Sequence, residues 1–277
     1  MQYFQQKVVW ITGASSGIGE ALAIALSNAG ARLILSSRRA EELERVKQSC
    51  AHPELVRILT LDLEDVSMRK EKTAAAIAVF GQLDIVIHNG GISQRSLAKD
   101  TSMKVHRKLM EIDYFSYIDI TRHVLPHFFE RGSGHFVVIS SVMGKIGTPM
   151  RSAYAAAKHA LHGYFDCLRA ELMDQHIRVT VITPGYIRTQ IARHAVTGSG
   201  IERGVSAKDI DEGYPPDKAA LQILRATAAG KFEAYVGRNG KERMALLIER
   251  LAPALLKKMA PGLVPATADL TRVQKDS

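Results

Sequence analysis

Two residues whose side chains can take part in proton transfer, Tyr154 and Lys158, stand four positions apart in a run of helix-forming residues, Ser152–Glu171. Residues four apart share one face of a helix, so the phenol and the ammonium are predicted to point into the same space. A phenol is a poor base at neutral pH, but a lysine charge a few ångströms away favours the phenolate. The pair therefore predicts a group that exchanges a proton with an alcohol or a carbonyl. The spacing alone is weak evidence, because it occurs by chance in many helices.

A glycine-rich turn lies near the start of the chain. A short β-branched run, residues 7–12, leads directly into it, and a helix with apolar residues at helical spacing follows. Strand, glycine turn and helix form the opening of a dinucleotide-binding unit, in which glycines let a pyrophosphate approach the backbone closely. The helix N-terminus offers free amides and partial positive charge to that phosphate. The cofactor contacts predicted here are Gly13, Ser15, Ser16, Gly17, Ile18 and Gly19.

The second predicted strand, residues 31–37, ends without the carboxylate that binds the ribose hydroxyls of NAD. Arg38 and Arg39 follow it instead, and arginine pairs well with a phosphate. The sequence therefore predicts NADP(H) as cofactor, with Arg38 on the 2′-phosphate. The alternative is that both arginines only solvate the start of a helix.

Further cofactor contacts are expected where later strands end, because ligands gather at the carboxyl ends of parallel strands. Asp62 ends the third strand, where it could accept a hydrogen bond from the adenine amine or cap a helix predicted from Val66. Two glycines, Gly90 and Gly91, close the fourth strand and allow the cofactor to pass closely. The contacts predicted at these strand ends are Asp62, Leu63, Asn89, Gly90, Pro184, Gly185, Ile187 and Thr189.

Strands and helices alternate along the chain, which is typical of a parallel sheet covered on both faces. The predicted fold is a single α/β domain, a Rossmann-type doubly wound parallel sheet of about seven strands. Residues 1–240 form the cofactor-binding and catalytic domain, which includes one long helix over residues 103–131. Residues 187–213 are long, glycine-containing and weakly patterned, so they are predicted to be a substrate lid. Residues 241–277 form a C-terminal helical extension and a tail, expected to be disordered from about Pro265.

The C-terminal extension is basic and amphipathic between residues 241 and 259, and Pro253 interrupts it. Its apolar residues are predicted to share one side of a helix: Met244, Leu247, Ile248, Leu251 and Leu255. Three interpretations remain open. This side packs on the body of the protein or on another subunit, it lines the substrate mouth, or it makes weak contact with a membrane surface.

The composition narrows the function classes. The chain has 277 residues and a formal net charge of +9, which favours anionic partners such as nucleotide phosphates. The basic residues are scattered, so a nucleic-acid partner is not expected. The two cysteines stand in no metal-ligand pattern, so neither a metal site nor a disulfide is predicted. Without a signal-peptide core or an apolar run of about 18 residues, the protein is expected to be cytoplasmic, with a membrane-peripheral location as the alternative.

From about residue 5 to 240, the order and spacing of these motifs, together with Ser141, resemble the short-chain dehydrogenase/reductase family. Residues 134–158 look most like hydroxysteroid dehydrogenase-like members that act on hydrophobic carbonyls, and residues 35–46 resemble the dehydrogenase/reductase member 7 group. The resemblance implies that Tyr154 is the general acid/base and that Ser141 binds the substrate oxygen. It implies that Lys158 lowers the pKa of Tyr154 and holds the nicotinamide ribose. Hydride would pass between the nicotinamide and the carbinol carbon.

Two residues depart from the family pattern. The family usually has asparagine where this chain has Asp113, and that asparagine organises a water path from the lysine to solvent. Asp113 can hold water as well, but its carboxylate could pair with Lys158 and shift the pH profile, so it joins the predicted catalytic set. His88 replaces the first asparagine of the usual Asn-Asn-Ala-Gly and is expected to be a strand-end residue rather than a catalyst.

The predicted function is hydride transfer between NADP(H) and a small-molecule secondary alcohol or carbonyl, on a steroid-, retinoid- or lipid-like substrate. Ser93, Met143, Met150 and Tyr186 are the expected walls of its site. One alternative is a 3-oxoacyl thioester reductase. Another is a non-catalytic NADP(H)-binding scaffold or sensor. The helices around residues 115–129 and 154–172 match those that pair subunits in the family, so a homodimer or homotetramer is expected.

Overall fold

The computed structural model describes residues 1–238 and 240–263, so the tail predicted from Pro265 lies outside the described residues. Within them, seven strands form one sheet in the order β3-β2-β1-β4-β5-β6-β7, and every neighbouring pair is parallel. The predicted doubly wound fold is confirmed. The strands are β1 Val8–Thr12, β2 Arg32–Ser36, β3 Val56–Ile58, β4 Ile85–His88, β5 Gly134–Ile139, β6 Ile177–Pro184 and β7 Glu233–Val236.

Helices cover both faces of the sheet. Alternate residues of β1 belong to different cores because side chains of a strand point to opposite faces. Val9 and Ile11 pack in one apolar cluster, whereas Val8 and Trp10 pack in the other. The helices are α1 Gly17–Asn28, α2 Ala40–Gln48, α3 Arg69–Phe80, α4 Met103–Met110, α5 Ser116–Arg131, α6 Ser152–Glu171, α7 Lys208–Asp211, α8 Pro216–Ala228, α9 Lys241–Leu251 and α10 Pro253–Met259.

The long helix predicted over residues 103–131 is helical throughout, but a π-helical segment, Glu111–Phe115, separates α4 from α5. Such wide turns insert an extra residue into the helix and are frequent at functional sites. The segment carries Asp113, whose side chain is fully buried. The wide turn therefore places a carboxyl group in the protein interior, where charged groups are rare.

The segment predicted as a lid, residues 187–213, packs closely on the body of the protein. Val196 forms a parallel bridge with Gln94 and an antiparallel bridge with Glu202. Ala192 and Ile210 form a small apolar cluster with the partly buried Tyr186. The segment is therefore closed over the loop that follows β4.

The C-terminal helices contact the body through few residues. Leu256 is buried, and Leu246 packs against the cluster that contains Tyr154. The side that the sequence identified as apolar faces outward, since Leu247 and Leu251 are 50% and 73% exposed. Among the helices of the described residues, none is long and apolar enough to cross a membrane.

Candidate active site

A cleft of about 560 Å³ opens at the carboxyl ends of the strands, where the strand order reverses between β1 and β4. This switch point is where open parallel sheets bind ligands. Gly19 is not among the lining residues. The predicted site residues that line the cleft are Gly13, Ser15, Ser16, Gly17, Ile18, Arg38, Asp62, Leu63, Asn89, Gly90, Asp113, Ser141, Tyr154, Lys158, Pro184, Gly185, Ile187 and Thr189.

The glycine turn between β1 and α1 is held by close backbone contact. Gly13 has φ +65°, and a Cβ there would lie 2.4 Å from the Gly90 Cα. Gly19 does not line the cleft but packs closely against the turn, since a Cβ on it would lie 2.3 Å from the Gly13 carbonyl oxygen. Asn89 donates from Nδ2 to the carbonyl oxygens of Thr12 and Gly13, at 3.1 and 3.0 Å. These contacts fix the turn before any ligand binds.

The N-terminus of α1 suits the pyrophosphate of a dinucleotide. Ser16 occupies the position before the first helical residue, yet its side chain accepts no hydrogen bond from the helix amides. Those amides therefore keep their donors and their partial positive charge for an anion in the cleft. Together with the glycines, which leave room for a phosphate, this arrangement fits the expected cofactor.

At the adenosine end, Arg38 and Arg39 line the cleft and are exposed. Arg39 donates from Nη2 to Ser15 Oγ at 3.2 Å. Asp62 also lines the cleft, and its Oδ1 accepts a hydrogen bond from the Glu64 amide at 3.0 Å. The helix expected from Val66 begins at Arg69, so the interpretation of Asp62 as the cap of that helix is wrong.

The predicted proton donor, Tyr154, and Ser141 both line the cleft. Tyr154, in the first turn of α6, is 8% exposed. Ser141 follows β5, and its Oγ accepts a hydrogen bond from the Met143 amide at 3.1 Å. Because an amide is the donor of that bond, the Ser141 hydroxyl hydrogen stays available for a substrate oxygen.

Lys158 lies one helical turn beyond Tyr154, with its ammonium 5.7 Å from the centroid of the tyrosine ring. Its Nζ donates to the Ile139 carbonyl at 3.3 Å and lies 3.7 Å from Asp113 Oδ2. Asp113 Oδ1 accepts from the Ile92 amide at 2.8 Å. The pairing of Asp113 with Lys158 that the sequence suggested is therefore present.

Burial and charge act against each other in this pair. Burial raises the pKa of Asp113 to about 6, although Lys158 and the Ile92 amide act to lower it. Burial disfavours the Lys158 ammonium, but the Tyr117 hydroxyl, the Asp113 carboxylate and the Tyr154 hydroxyl outweigh that effect and raise its pKa. Lys158 therefore carries its charge at neutral pH, where Asp113 is mostly ionised.

Tyr117 was missed in the sequence, although it stands one helical turn after Asp113. Its hydroxyl donates to the Gly90 carbonyl at 2.9 Å, and burial raises its pKa to about 12. The neutral ring lies 5.2 Å from Lys158 Nζ and stacks on His88. His88 is buried, with its pKa lowered to about 3 by that burial, and bonds Thr121. It is a neutral packing residue, as expected.

The substrate end of the cleft lies between the loop after β4, the loop before α6 and the segment 187–213. Ser93, Met143 and Tyr186 line it as predicted, but Met150 does not. Arg151, which no sequence pattern singled out, lines it as well. In the described part of the chain, no group of three or more His, Cys, Asp or Glu residues could hold a metal ion.

The short chain dehydrogenase family model matches residues 7–199. The dehydrogenase/reductase SDR family protein 7-like of Drosophila melanogaster is 42% identical over 256 residues, which cover 90% of this chain and 78% of the relative. The dehydrogenase/reductase SDR family member 7B of Bos taurus is 39% identical over 264 residues, covering 93% of this chain and 81% of the relative. The resemblance drawn from the motifs is confirmed.

Solved structures share the fold. A short-chain dehydrogenase from Streptomyces avermitilis superposes with a TM-score of 0.80 at 29% identity, covering 92% of this chain and 97% of its own. A short chain dehydrogenase/reductase from Burkholderia phymatum, solved in complex with NAD, reaches a TM-score of 0.80 at 20% identity, covering 96% and 99%. With the family model, the relatives and the arrangement of the cleft in agreement, the chain belongs to the short-chain dehydrogenase/reductase family, oxidoreductases that bind a nicotinamide cofactor.

Proposed function

We propose that the protein is an NADP(H)-dependent oxidoreductase that interconverts a hydrophobic carbonyl compound and its alcohol. The observation that carries the proposal is the convergence of Ser141, Tyr154 and Lys158 on the cleft that the glycine turn also lines. A scaffold that only bound the cofactor would not need a hydroxyl pair beside a buried lysine.

Each side chain has a role that follows from its contacts. When bound, the cofactor supplies or accepts the hydride. Ser141 donates its free hydrogen to the carbonyl oxygen, and Tyr154 gives that oxygen a proton as negative charge develops on it. Lys158 donates one hydrogen to the Ile139 carbonyl, whereas Asp113 Oδ2 lies 3.7 Å from Nζ without a hydrogen bond, so donors of Lys158 remain for a ribose hydroxyl. Its charge also stabilises Tyr154 after the proton has left.

Two observations support NADP(H) as the cofactor. The end of β2 carries no acid, and Arg38 and Arg39 line the cleft there. The bond of Arg39 to Ser15 holds that guanidinium beside the glycine turn. Arg38, with no side-chain bond to the described residues, is left for the 2′-phosphate. The Arg38→Ala variant should lose its preference for NADPH over NADH, measured as the ratio of kcat/KM. An unchanged ratio would count against this assignment.

A hydrophobic substrate is supported by six apolar side chains at the substrate end, which line the cleft together with polar residues such as Gln190 and His194. The six are Ile92, Val142, Met143, Ile191, Val196 and Ile210. Burial of such a lining against an apolar substrate contributes about 25 cal/mol for each Å² removed from water. Steroid-, retinoid- and lipid-like carbonyls are therefore the first compounds to test.

The deciding experiment is NADPH oxidation across a panel of hydrophobic ketones and aldehydes, with 3-oxoacyl thioesters included. The Tyr154→Phe variant should lose on the order of 10³-fold in kcat while NADPH binding is retained. Tyr164→Phe is the matched control, because Tyr164 lies on the same helix but does not line the cleft. Reduction confined to the thioesters would favour the 3-oxoacyl thioester alternative. Tight NADPH binding with no turnover would favour a scaffold or sensor.

We also propose that the protein is a cytoplasmic homodimer or homotetramer. Phe115 and Phe129, at the two ends of α5, are each 48% exposed, and burial of such rings commonly accompanies subunit pairing. Light scattering after chromatography of Phe129→Glu should show a smaller species than the wild type. A monomeric wild type would contradict the proposal.

The exposed apolar side of α9 and α10 supports weak contact with an anionic membrane surface. Leu251 and Leu255 are 73% and 51% exposed, and Arg250, Lys257 and Lys258 accompany them. An apolar side flanked by basic residues is typical of interfacial helices. Flotation with vesicles containing phosphatidylserine should carry the wild type upward and leave Leu251→Glu behind. Equal flotation of the two proteins would contradict this contact.

A further inference from the structure

Two arginines lie buried at the substrate end of the cleft. Arg151 immediately precedes α6 and is 8% exposed, and Arg95, in the loop after β4, is 5% exposed. Buried guanidiniums are normally paired, because removal of a charge from water is costly. We therefore compare the carboxylates and hydrogen-bond acceptors that each of the two guanidiniums contacts.

Arg95 has one ion-pair partner among the described residues, the Asp209 carboxylate of α7, at 3.5 Å. Its Nε and Nη2 are buried and have no hydrogen-bond acceptor. The same Asp209 is the carboxylate whose charge acts on Arg151, while Arg95 opposes it. One carboxylate therefore faces two guanidiniums.

Arg151 has no carboxylate within ion-pair distance in residues 1–238 and 240–263. Its hydrogen bonds there both come from Nη1, one to Ser93 Oγ and one to the Gln94 carbonyl at 3.2 Å. Nε and Nη2 are left without an acceptor, although an arginine carries five donors. Burial, with the charge of Arg95, lowers the pKa of Arg151 to about 10, so the side chain remains a cation at neutral pH.

The other carboxylates of the cleft are engaged elsewhere. Asp113 faces Lys158, Glu202 pairs with His194, and Asp62 lies at the adenosine end. Arg151 lies beside the proton donor, with its Cζ 5.9 Å from the centroid of the Tyr154 ring. A positive charge with free donors therefore lines the cleft beside Tyr154.

We propose that the substrate carries an anionic oxygen group, a carboxylate or a phosphate-like group, close to its carbonyl, and that Arg151 binds this group with Ser93 beside it. The inference rests on the proposed carbonyl reduction at this cleft. The substrate is then amphiphilic, with its anion at Arg151 and its chain against the apolar lining. A planar guanidinium matches the two oxygens of such a group.

The test compares matched ketones that differ only in charge. One pair is 4-oxodecanoate and its methyl ester, and the other is 2-oxodecylphosphonate and its dimethyl ester. The wild type should prefer an anionic member by about 100-fold in kcat/KM. Arg151→Gln should lose most of that preference, measured as the ratio of acid to ester kcat/KM within the same variant, whereas Arg151→Lys should keep part of it. Arg225→Gln, which changes an exposed arginine of α8, is the control and should match the wild type.

Two results would overturn the proposal. In one, the wild type reduces the esters and the acids with equal kcat/KM. The proposed carbonyl reduction would then still stand, but the anion site would not. In the other, Arg151→Gln slows acid and ester equally, which shows that Arg151 only supports the fold of the loop. Preference for only one of the two anionic pairs would identify carboxylate or phosphate-like chemistry as the natural one.

A binding measurement covers the case in which no ketone is reduced and the proposed function fails. With NADPH bound, decanoate, decylphosphonate or both should raise the Tm of the wild type more than the corresponding neutral ester does. At least one of these differences should be present in the wild type and absent in Arg151→Gln. If neither anion stabilises the protein more than its ester, or if Arg151→Gln keeps the difference, the anion site is excluded.

Discussion

The two halves of the cleft are built from different parts of the chain. The cofactor half, formed by the glycine turn and the ends of β2 to β4, is shaped by backbone contacts and by residues that have no side chain. The substrate half, formed by residues 92–100, 142–151 and 187–213, is shaped by side chains that bond loops to one another. The cofactor half serves a ligand common to a whole family, whereas the substrate half can vary from one member to another.

The largest expected effect comes from a substitution that disrupts only the cofactor half of the cleft. In Gly13→Ala the new Cβ would meet the Gly90 backbone at 2.4 Å, at a φ of +65°. We expect a loss of roughly 3 kcal/mol in the free energy of unfolding and more than about 100-fold in NADPH affinity. Urea unfolding and fluorescence titration measure these. Gly147→Ala, in the substrate half, has no atom within 4 Å of its Cβ and should change stability by less than about 1 kcal/mol. Equal losses in both variants would contradict the comparison.

Asp113 contacts both Lys158 and Ile92, at the boundary of the two halves. Its titration should change the free energy of unfolding with pH. Because burial raises its pKa to about 6, the native protein binds this proton more tightly than the unfolded chain does. The protonated carboxyl of Asp113 therefore adds to the free energy of unfolding. This stabilisation is complete below pH ~4 and is lost as the pH rises to about 6, by roughly 3 kcal/mol in total. The difference in unfolding free energy between Asp113→Asn and the wild type should therefore change by that amount across this window. A constant difference from pH 4 to 6.5 would show that the carboxylate titrates normally.

The substrate half should be loosened selectively through Gln94. This fully buried side chain donates to Ser96 and Thr101 and accepts from the Ala153 amide at 2.9 Å. In Gln94→Met the amide of Ala153 loses its acceptor, so we expect a loss of about 2 kcal/mol. The substrate KM should rise while NADPH affinity stays unchanged. Gln48→Met, at an exposed position on α2, controls for the change of side chain. An equal loss of cofactor affinity would show that the halves are not separable.

The smallest expected effect is a change in the pH dependence of the reaction rate when Asp113, at the boundary of the two halves, is replaced. Asp113 lies 3.7 Å from Lys158 Nζ and has a pKa of about 6, so its own titration should affect the pH dependence of the reaction. In Asp113→Asn the pH–rate profile for alcohol oxidation should lose its inflection near pH 6. Asp166→Asn, exposed on the outer side of α6, is the control. Superimposable profiles would mean that Asp113 acts only as a hydrogen-bond acceptor.

The same division explains what could be predicted from the sequence. The glycine turn, the strand ends and the helix Ser152–Glu171 follow from residues close together in the chain, so their types and spacing were sufficient. The contacts of Arg151 and Gln94 join the loop after β4 to the start of α6. These segments are distant in the sequence, so no local pattern predicts the contacts. The π-helical turn at Asp113 was missed for the same reason, since no residue preference marks it. Asp62 was ambiguous because one carboxylate after a predicted strand suits a helix cap and a ligand equally, and β3 itself ends earlier, at Ile58.

The bridge between Gln94 and Val196 also bears on the order of folding. Its two residues are far apart in the chain, and neither can reach the other until β4, β5 and β6 lie side by side. Contacts of long sequence separation are slow to form, because a large loop must close before they contribute. The glycine turn needs β1, α1 and Asn89 after β4, but neither β5 nor β6. A newly made molecule can therefore acquire its nucleotide-binding turn before the walls around its substrate exist.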